Sequence, residues 1–411
     1  MTNKPDSKGP AKKAFESKEK AWSIAEYYGF QGIEPSVVEK SDIAIGKKLD
    51  TYDVNSALFP KTADKLALLR TYITQKLYAG PQPVMLYYEG MPHIQGERKK
   101  KTKGLYTLEI LGTGKSVAEA ILIKTAYVIL TELGHKNLVV TVNSVGDKDA
   151  FSRFTRELAA YYRKNISVLT VEEREHFKKD ALLLSWHAYK GNKTKQLHEE
   201  IPESVSFLSD KSRTHFKEVL EYLEHFHIQY RVMRSLISNK SFAAETVFGI
   251  DSIDEDGKEV RLAFGSRYSA LGKKLEHKRD VPAVGITIET DAENTEHKVN
   301  AKKLKPIFYY IQLGFEAKLK SLELIERLRV AGIPIEQSLS KDKLGAQLGI
   351  AENLKFPYVL IMGQKEAIEG TVLVRSMENR SQEAVAIEEL VPHMKKLLSA
   401  KAANKPAKKG K

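Results

Sequence analysis

Apolar positions recur with a helical period over residues 21–28 (AWSIAEYY, ending at Gly29), 63–77 and 116–133. In the third, Ala118, Leu122, Ala126, Ile129 and Leu133, flanked by Val117, Ile121 and Val128, form a broad apolar face, with Ser116 the predicted N-cap and Gly134 the stop. Between these segments the period changes. IEPSVVE from Ile33, interrupted by Pro35, predicts an edge strand; PVMLYYEG from Pro83 and NLVVTVNSVGD from Asn137 predict further strands, the latter buried. Residues 148–230 are charged and helical, with Phe216, Val219, Leu220, Leu223 and Phe226 on one face behind a Ser209 or Asp210 cap, the pattern of a helical insertion. Strands return in ETVFGIDSID and KEVRLAFGS, a hairpin about Asp256-Gly257, and in VPAVGITIET.

The polar, basic stretch 292–305 predicts a linker. Beyond it strand and helix alternate: IFYYIQLG, a helix over 315–330 closed by Gly332, IPIEQSL, a helix over 341–354, YVLIMG, the hairpin TVLVRSMENRSQEAVAI and a helix over 388–398. The upstream part therefore predicts an α+β fold with a mostly antiparallel sheet, and the downstream part a separate α/β domain with a largely parallel one. Residues 1–13 and 399–411 are basic and too poor in apolar groups to offset chain entropy, so both predict disordered ends.

Composition narrows the function classes. With 42% hydrophobic and 29% charged residues, the 411-residue chain matches a globular protein, which excludes wholesale disorder. Lys and Arg number 66 against 53 Asp and Glu, a net charge of +13 that points to a polyanionic partner, nucleic acid foremost. Seven lysines, Lys408 and Lys409 among them, fall in 395–411 without any acid. A second basic run, Arg98, Lys99, Lys100, Lys101 and Lys103, lies between two strand-like segments and reads equally as a solvated loop or a phosphate contact. No stretch approaches the ~18 apolar residues of a membrane span, and the first twenty residues hold no apolar signal core, so a cytoplasmic protein is expected. The absence of Cys excludes disulfides, zinc ribbons and thiol nucleophiles.

Isolated motifs carry little. Gly112-Thr113-Gly114-Lys115-Ser116 suggests a P-loop, but the required first glycine is Glu109. His225 and His227, two apart on a predicted helix, do not share a face, and no metal site is predicted. Tyr87-Tyr88 reads as core and edge packing before base stacking.

In their order, these segments resemble histidyl-tRNA synthetase, a class II aminoacyl-tRNA synthetase, from about Ala14 to Leu398. AEYYGFQGIEPSVVE is similar to its first core helix and motif 1, PQPVMLYYEG leads into motif 2, and Asn143, Ser144, Gly146 and Asp147 match the turn after the core helix. GSRYSAL, with Arg267 and Tyr268, and then PAVGI resemble the approach to motif 3, and residues 306–398 resemble the family's anticodon-binding domain. The resemblance implies a core over 14–147 and 231–291, an insertion over 148–230, and a homodimer that binds tRNA. It also implies arginines for ATP that this sequence lacks. The motif 2 arginine falls at Ile94, that of the second histidine-binding segment at Ser238, with Phe242-Ala243 in place of two tyrosines, and that of motif 3 at Ala292. A segment that should read Glu-Gly-Thr is Ala63-Asp64-Lys65, while Glu109 of the histidine pocket is retained. Glu97, Arg98, Glu109, Arg234, Arg267 and Tyr268 are the candidates for what remains of the amino-acid and ATP pocket; Lys99, Lys100, Lys101, Lys103, Arg375, Lys408 and Lys409 are those for nucleic acid.

Since phosphoryl charge in adenylate formation needs preorganised cations, this pattern predicts an RNA-binding protein of synthetase fold that does not charge tRNA. The alternatives are an active divergent histidine-tRNA ligase using Arg98, Arg234 and Arg267 in shifted positions, with ATP and Mg, and a non-catalytic regulatory subunit of another enzyme.

Overall fold

A computed structural model describes residues 20–50, 58–59, 61–90, 92, 94–95, 104–187, 194–289, 306–337 and 343–403. The expectations for residues 1–13, for Glu97 through Lys101 and Lys103, for Ala292 and the linker, and for Lys408 and Lys409 lie outside the described residues. The chain divides into two compact units, Met1–His297 and Lys298–Lys411.

The first unit is built on eight strands, β1 (Gln31–Gly32), β2 (Val84–Glu89), β3 (Leu105–Leu111), β4 (Leu138–Gly146), β5 (Tyr230–Val232), β6 (Ala243–Ile253), β7 (Glu259–Tyr268) and β8 (Ala283–Glu289), in the order β1-β2-β3-β8-β7-β6-β4-β5. The inner pairings are antiparallel; only the edge pairs β1–β2 and β4–β5 are parallel. Helix α1 covers residues 20–27, where Trp22 stacks on Tyr87 at 4.5 Å between ring centroids. Helix α2 (Lys40–Leu49) was not predicted. Its signal is short and polar: the Glu39 N–H donates to the Asp42 carboxylate at 2.8 Å in a capping box. Helix α3 (Thr62–Thr74) follows the predicted period.

Helix α4 (Val117–Glu132) buries Ala118, Ile121, Leu122, Ile123, Ala126 and Ile129 completely, more than one stripe. Such a helix needs cover on two sides, which β3 and β8 give on one and α9 (Asp210–His225) on the other. Ser116 stands at the predicted N-cap position, but its side chain makes no capping bond; its hydroxyl donates to Glu218 on α9 instead. The expected edge strand IEPSVVE is also corrected. Strand β1 stops at Gly32, and Pro35, with no N–H to give, stands where the ladder would continue. The chain is held instead by Ile33 N–H to the Tyr87 carbonyl at 3.0 Å, Ser36 N–H to the Thr71 hydroxyl at 2.7 Å and an isolated bridge between Val38 and Ile94.

Between β4 and β5 come α5 (Lys148–Lys164), α6 (Val171–Lys179), α7 (Ala181–His187), α8 (Lys195–Glu199) and then α9. Phe151, Phe154, Leu158 and Tyr162 of α5 share one apolar cluster with Val247 and Phe264 of the sheet. The helical segment therefore packs on the strands rather than around a core of its own.

The second unit pairs β9 (Phe308–Gln312), β10 (Ile335–Gln337), β11 (Tyr358–Met362), β12 (Thr371–Ser376) and β13 (Gln382–Ala386) in the order β10-β9-β11-β12-β13. The pairings of β9 with β10 and β11 are parallel, and those of β12 with β11 and β13 antiparallel, so the sheet is mixed rather than largely parallel. Its helices are α10 (Phe315–Val330), α11 (Leu344–Asn353), α12 (Gln364–Glu369) and α13 (Ile387–Ala403). Helix α13 continues past Leu398 to Ala403, through part of the expected disordered tail; alanine and lysine have high helix propensity and extend a helix already anchored by the buried Leu390 and Met394. Among the described residues no helix is long and apolar enough to cross a membrane.

Candidate functional site

Register places Leu86, Glu109, Gly285, Ser266 and Val247 opposite one another on β2, β3, β8, β7 and β6, so their side chains share one face of the sheet. The glycine in this row is a requirement: a Cβ on Gly285 would stand 2.2 Å from Glu109 Oε2. Glu109 is fully buried and bonded on both oxygens. The Lys65 ammonium, brought in by α3, pairs with Oε1, and the Tyr268 hydroxyl donates to Oε2 at 2.9 Å. Lys65 also lies 5.0 Å from the Tyr268 ring centroid, a cation–π contact. Phe242 meets Tyr268 edge-on.

Burial and the adjacent Glu109 charge push the Tyr268 hydroxyl pKa well above its ordinary value, which keeps it a donor. Tyr88 is raised in the same way by burial, Glu109 and Asp64. Burial also raises the Asp64 carboxyl to about 6, although Lys61 and Lys65 pull the other way.

A second cluster ties β7 to α4. Arg267, also buried, donates to Glu119 through Nε at 2.6 Å and again through Nη2, and to the carbonyls of Thr113 at 2.8 Å and Lys115 at 3.0 Å. His215 on α9 bonds the same Glu119 at 2.7 Å. Burial pushes this carboxyl up, but Arg267 and His215 outweigh it and hold it down at about 2. The Gly112–Ser116 turn thus aims carbonyls at a guanidinium, the reverse of a phosphate cradle built from N–H groups.

The remaining predicted residues are not gathered here. Ser238 is buried and its hydroxyl donates to Ser266 at 3.0 Å. Arg234 is turned to the helical segment, on the Glu199 carbonyl at 3.1 Å and the Glu203 carboxylate. Ile94 is half-buried in the bridge to Val38. The Asn143 and Ser144 turn is a clamp: the Asn143 amide donates to the carbonyls of Arg234 at 3.3 Å and Leu236 at 3.0 Å, and Ser144 to that of Glu245 at 3.0 Å. Among the described residues no group of three or more His, Asp or Glu could hold a metal.

Sequence reasoning missed the partners Lys65, Glu119 and His215. A signal existed for two of them. Lys65 shares a helix face with Leu69 and Tyr72, and Glu119 sits among Val117, Ala118, Ala120 and Ile121; an ionic residue on an apolar stripe implies a buried counter-charge.

In the second unit, Arg375 of β12 lines a concavity with Glu352, Lys355, Phe356, Pro357, Met377, Glu378 and Arg380. Its Nε is buried and has no hydrogen-bond partner among the described residues. Lys355 and Arg380 both take left-handed backbone conformations, at φ 58 and 60°, at the turns that close this rim.

Residues 308–397 match the family described as Anticodon binding domain. The histidine–tRNA ligase of Halalkalibacterium halodurans is 26% identical over 402 residues, covering 92% of each chain, and that of Rippkaea orientalis is 27% identical over 384 residues, covering 91% of this chain and 88% of its own. The fold is that of the apo histidyl-tRNA synthetase of S. aureus, at a TM-score of 0.50 and 19% identity over 96% of this chain and 100% of the other. Over about nine-tenths of its length the chain is similar to histidine–tRNA ligases, as a divergent relative at 26 to 27% identity. Of the residues that the resemblance singled out, Glu109 and Tyr268 are brought together on one face of the sheet, whereas Arg267 points to the other face and is held by Glu119, Arg234 stands apart on the helical segment, and Ser238 offers a hydroxyl where an arginine was expected.

Proposed function

We propose that this protein binds tRNA or another RNA as a homodimer and does not aminoacylate it. One observation carries the reading: the charges that remain around the family's substrate pocket are neutralised by the chain itself. Lys65 occupies Glu109, and Glu119 with two carbonyls occupies Arg267. A buried charge already matched in this way has little left to offer a substrate, and separating the pair costs several kcal/mol, about 3–5. ATP carries charge that preorganised cations must meet, and the described residues do not fit it: Ile94 and Ser238 stand at two arginine places, and Arg267 is engaged elsewhere. Each missing charge-assisted contact lowers the rate by about 100-fold or more.

The second unit is the reverse. Its match to an anticodon-binding family and its rim of Arg375, Arg380 and Lys355 over Phe356 support a contact with phosphate and base. Two assays test the reading. Histidine-dependent pyrophosphate exchange should stay at background; exchange at a rate usual for a ligase would overturn the catalytic half. Retardation of tRNA in gels should be tight at low salt and fall steeply as salt rises. No affinity for any RNA would overturn the other half.

A further inference from the structure

Helix α3 turns a lysine toward the sheet. Lys65, Leu69 and Tyr72 lie on one face, and the Lys65 side chain is only 7% exposed. An ammonium buried this deeply keeps its charge only against a carboxylate with its remaining lone pairs satisfied. Glu109 meets both conditions, with the Tyr268 hydroxyl on its other oxygen at 2.9 Å. The surroundings of that ammonium are those of an amine receptor: a buried carboxylate, the face of Tyr268 at 5.0 Å, and Gly285 clearing the strand behind the carboxylate. The ligand in the receptor belongs to the chain.

We infer that Lys65 is a tethered ligand, whose ammonium fills the pocket formed by Glu109, Tyr268 and Gly285 and holds it shut against free amino acids and amines. The inference rests on the proposed function only in taking Glu109 as a wall of a former amino-acid pocket. It adds to that reading the group that closes the pocket and the class of molecule the pocket would accept once opened, a primary alkylammonium.

Lys65→Ala removes the equivalent of n-propylammonium and leaves a void beside an unpaired carboxylate. Thermal melts with n-propylammonium chloride, against sodium chloride at equal ionic strength, read the consequence. The unaltered protein should respond equally to both salts. Lys65→Ala should melt lower and regain about half or more of the loss as the amine is raised, because a ligand of the native state stabilises by mass action. n-Propanol should not substitute for the amine, and Lys65→Ala/Glu109→Gln, which leaves no charge unpaired, should lose the response. If Lys65→Ala does not stay soluble, refolding with and without the amine gives the same test, with soluble protein recovered only in its presence. Equal effects of amine and sodium chloride on Lys65→Ala, or an undiminished response in the double variant, would overturn the inference. Absence of RNA binding by the unaltered protein would remove that half of the proposed function without touching the amine readout, histidine-dependent pyrophosphate exchange would show the pocket open to a free amino acid and overturn both readings, and absent amine rescue would overturn the inference while leaving RNA binding standing.

Discussion

The two units use cations in opposite ways. In the first, Lys65 and Arg267 are buried and paired with Glu109 and Glu119. In the second, Arg375 keeps a buried Nε without a partner among the described residues, beside Lys355 and Arg380 on an open rim. A paired buried charge holds a fold in one arrangement; an unpaired donor at a concave surface is stabilised only when something from outside supplies the acceptor. By this measure the first unit has turned its chemistry inward, while the second keeps its cations on an open rim.

The largest effect should come from breaking the inward half. Arg267→Ala would strand Glu119 in a fully buried place with only His215 beside it, at a cost of about 3–5 kcal/mol in urea denaturation. Arg267→Met/Glu119→Gln, which strands no charge, should recover much of that loss. The pair also sets an acid limit. Glu119 is held at about 2 against an ordinary 4.5, so its contribution is fully present above the unfolded value and is lost as pH falls from there toward 2. Melting temperatures across that window should fall less for the double variant than for the unaltered chain. An Arg267→Ala protein as stable as its parent would show that the pairing has no structural role.

The outward half should yield next. Arg375→Ala should weaken RNA binding by about tenfold, with the slope of log affinity against log salt reduced by about one, as for a lost phosphate contact. Arg380→Ala, on the exposed turn of the same rim, should do the same to a smaller extent. Wild-type binding curves from both variants would move the RNA contact away from this concavity.

Most strands and the long helices were legible because their apolar periods are strong: α4, β4 and the β6–β7 hairpin lie where the pattern put them. The residue types Ile94 and Ser238, at positions where the resemblance implies arginines, were legible. What was not legible is how the surviving charges pair. Lys65 and Glu109 are separated by 44 positions, Glu119 and Arg267 by 148, and nothing local in either segment names its partner. Helix α2 was missed for a different reason, since Lys40, Lys47 and Lys48 with Gly46 dilute its apolar stripe until only Ile43, Ala44, Ile45 and Leu49 remain. Ser116 shows that a residue of capping type can hold the N-cap position without its side chain capping, here with the hydroxyl turned to a carboxylate on the neighbouring helix.

The smallest expected effect concerns Asp64, which stands next to Lys65 on α3. Burial raises its carboxyl to about 6 from 3.8, with Lys61 and Lys65 opposing and Asp50 adding to the rise. The sign is the reverse of Glu119. A raised carboxyl favours the fold while protonated, so its contribution is complete below about 3.8 and is lost as pH climbs through 6. Asp64→Asn keeps the shape and removes the titration. It should therefore match the parent near pH 4, exceed it slightly in melting temperature at pH 7, and flatten the decline between them. If Asp64→Asn instead lowers stability at pH 7, the ionised carboxylate is a needed partner of Lys61 and Lys65, and the tether of Lys65 to Glu109 is supported by two acids rather than one.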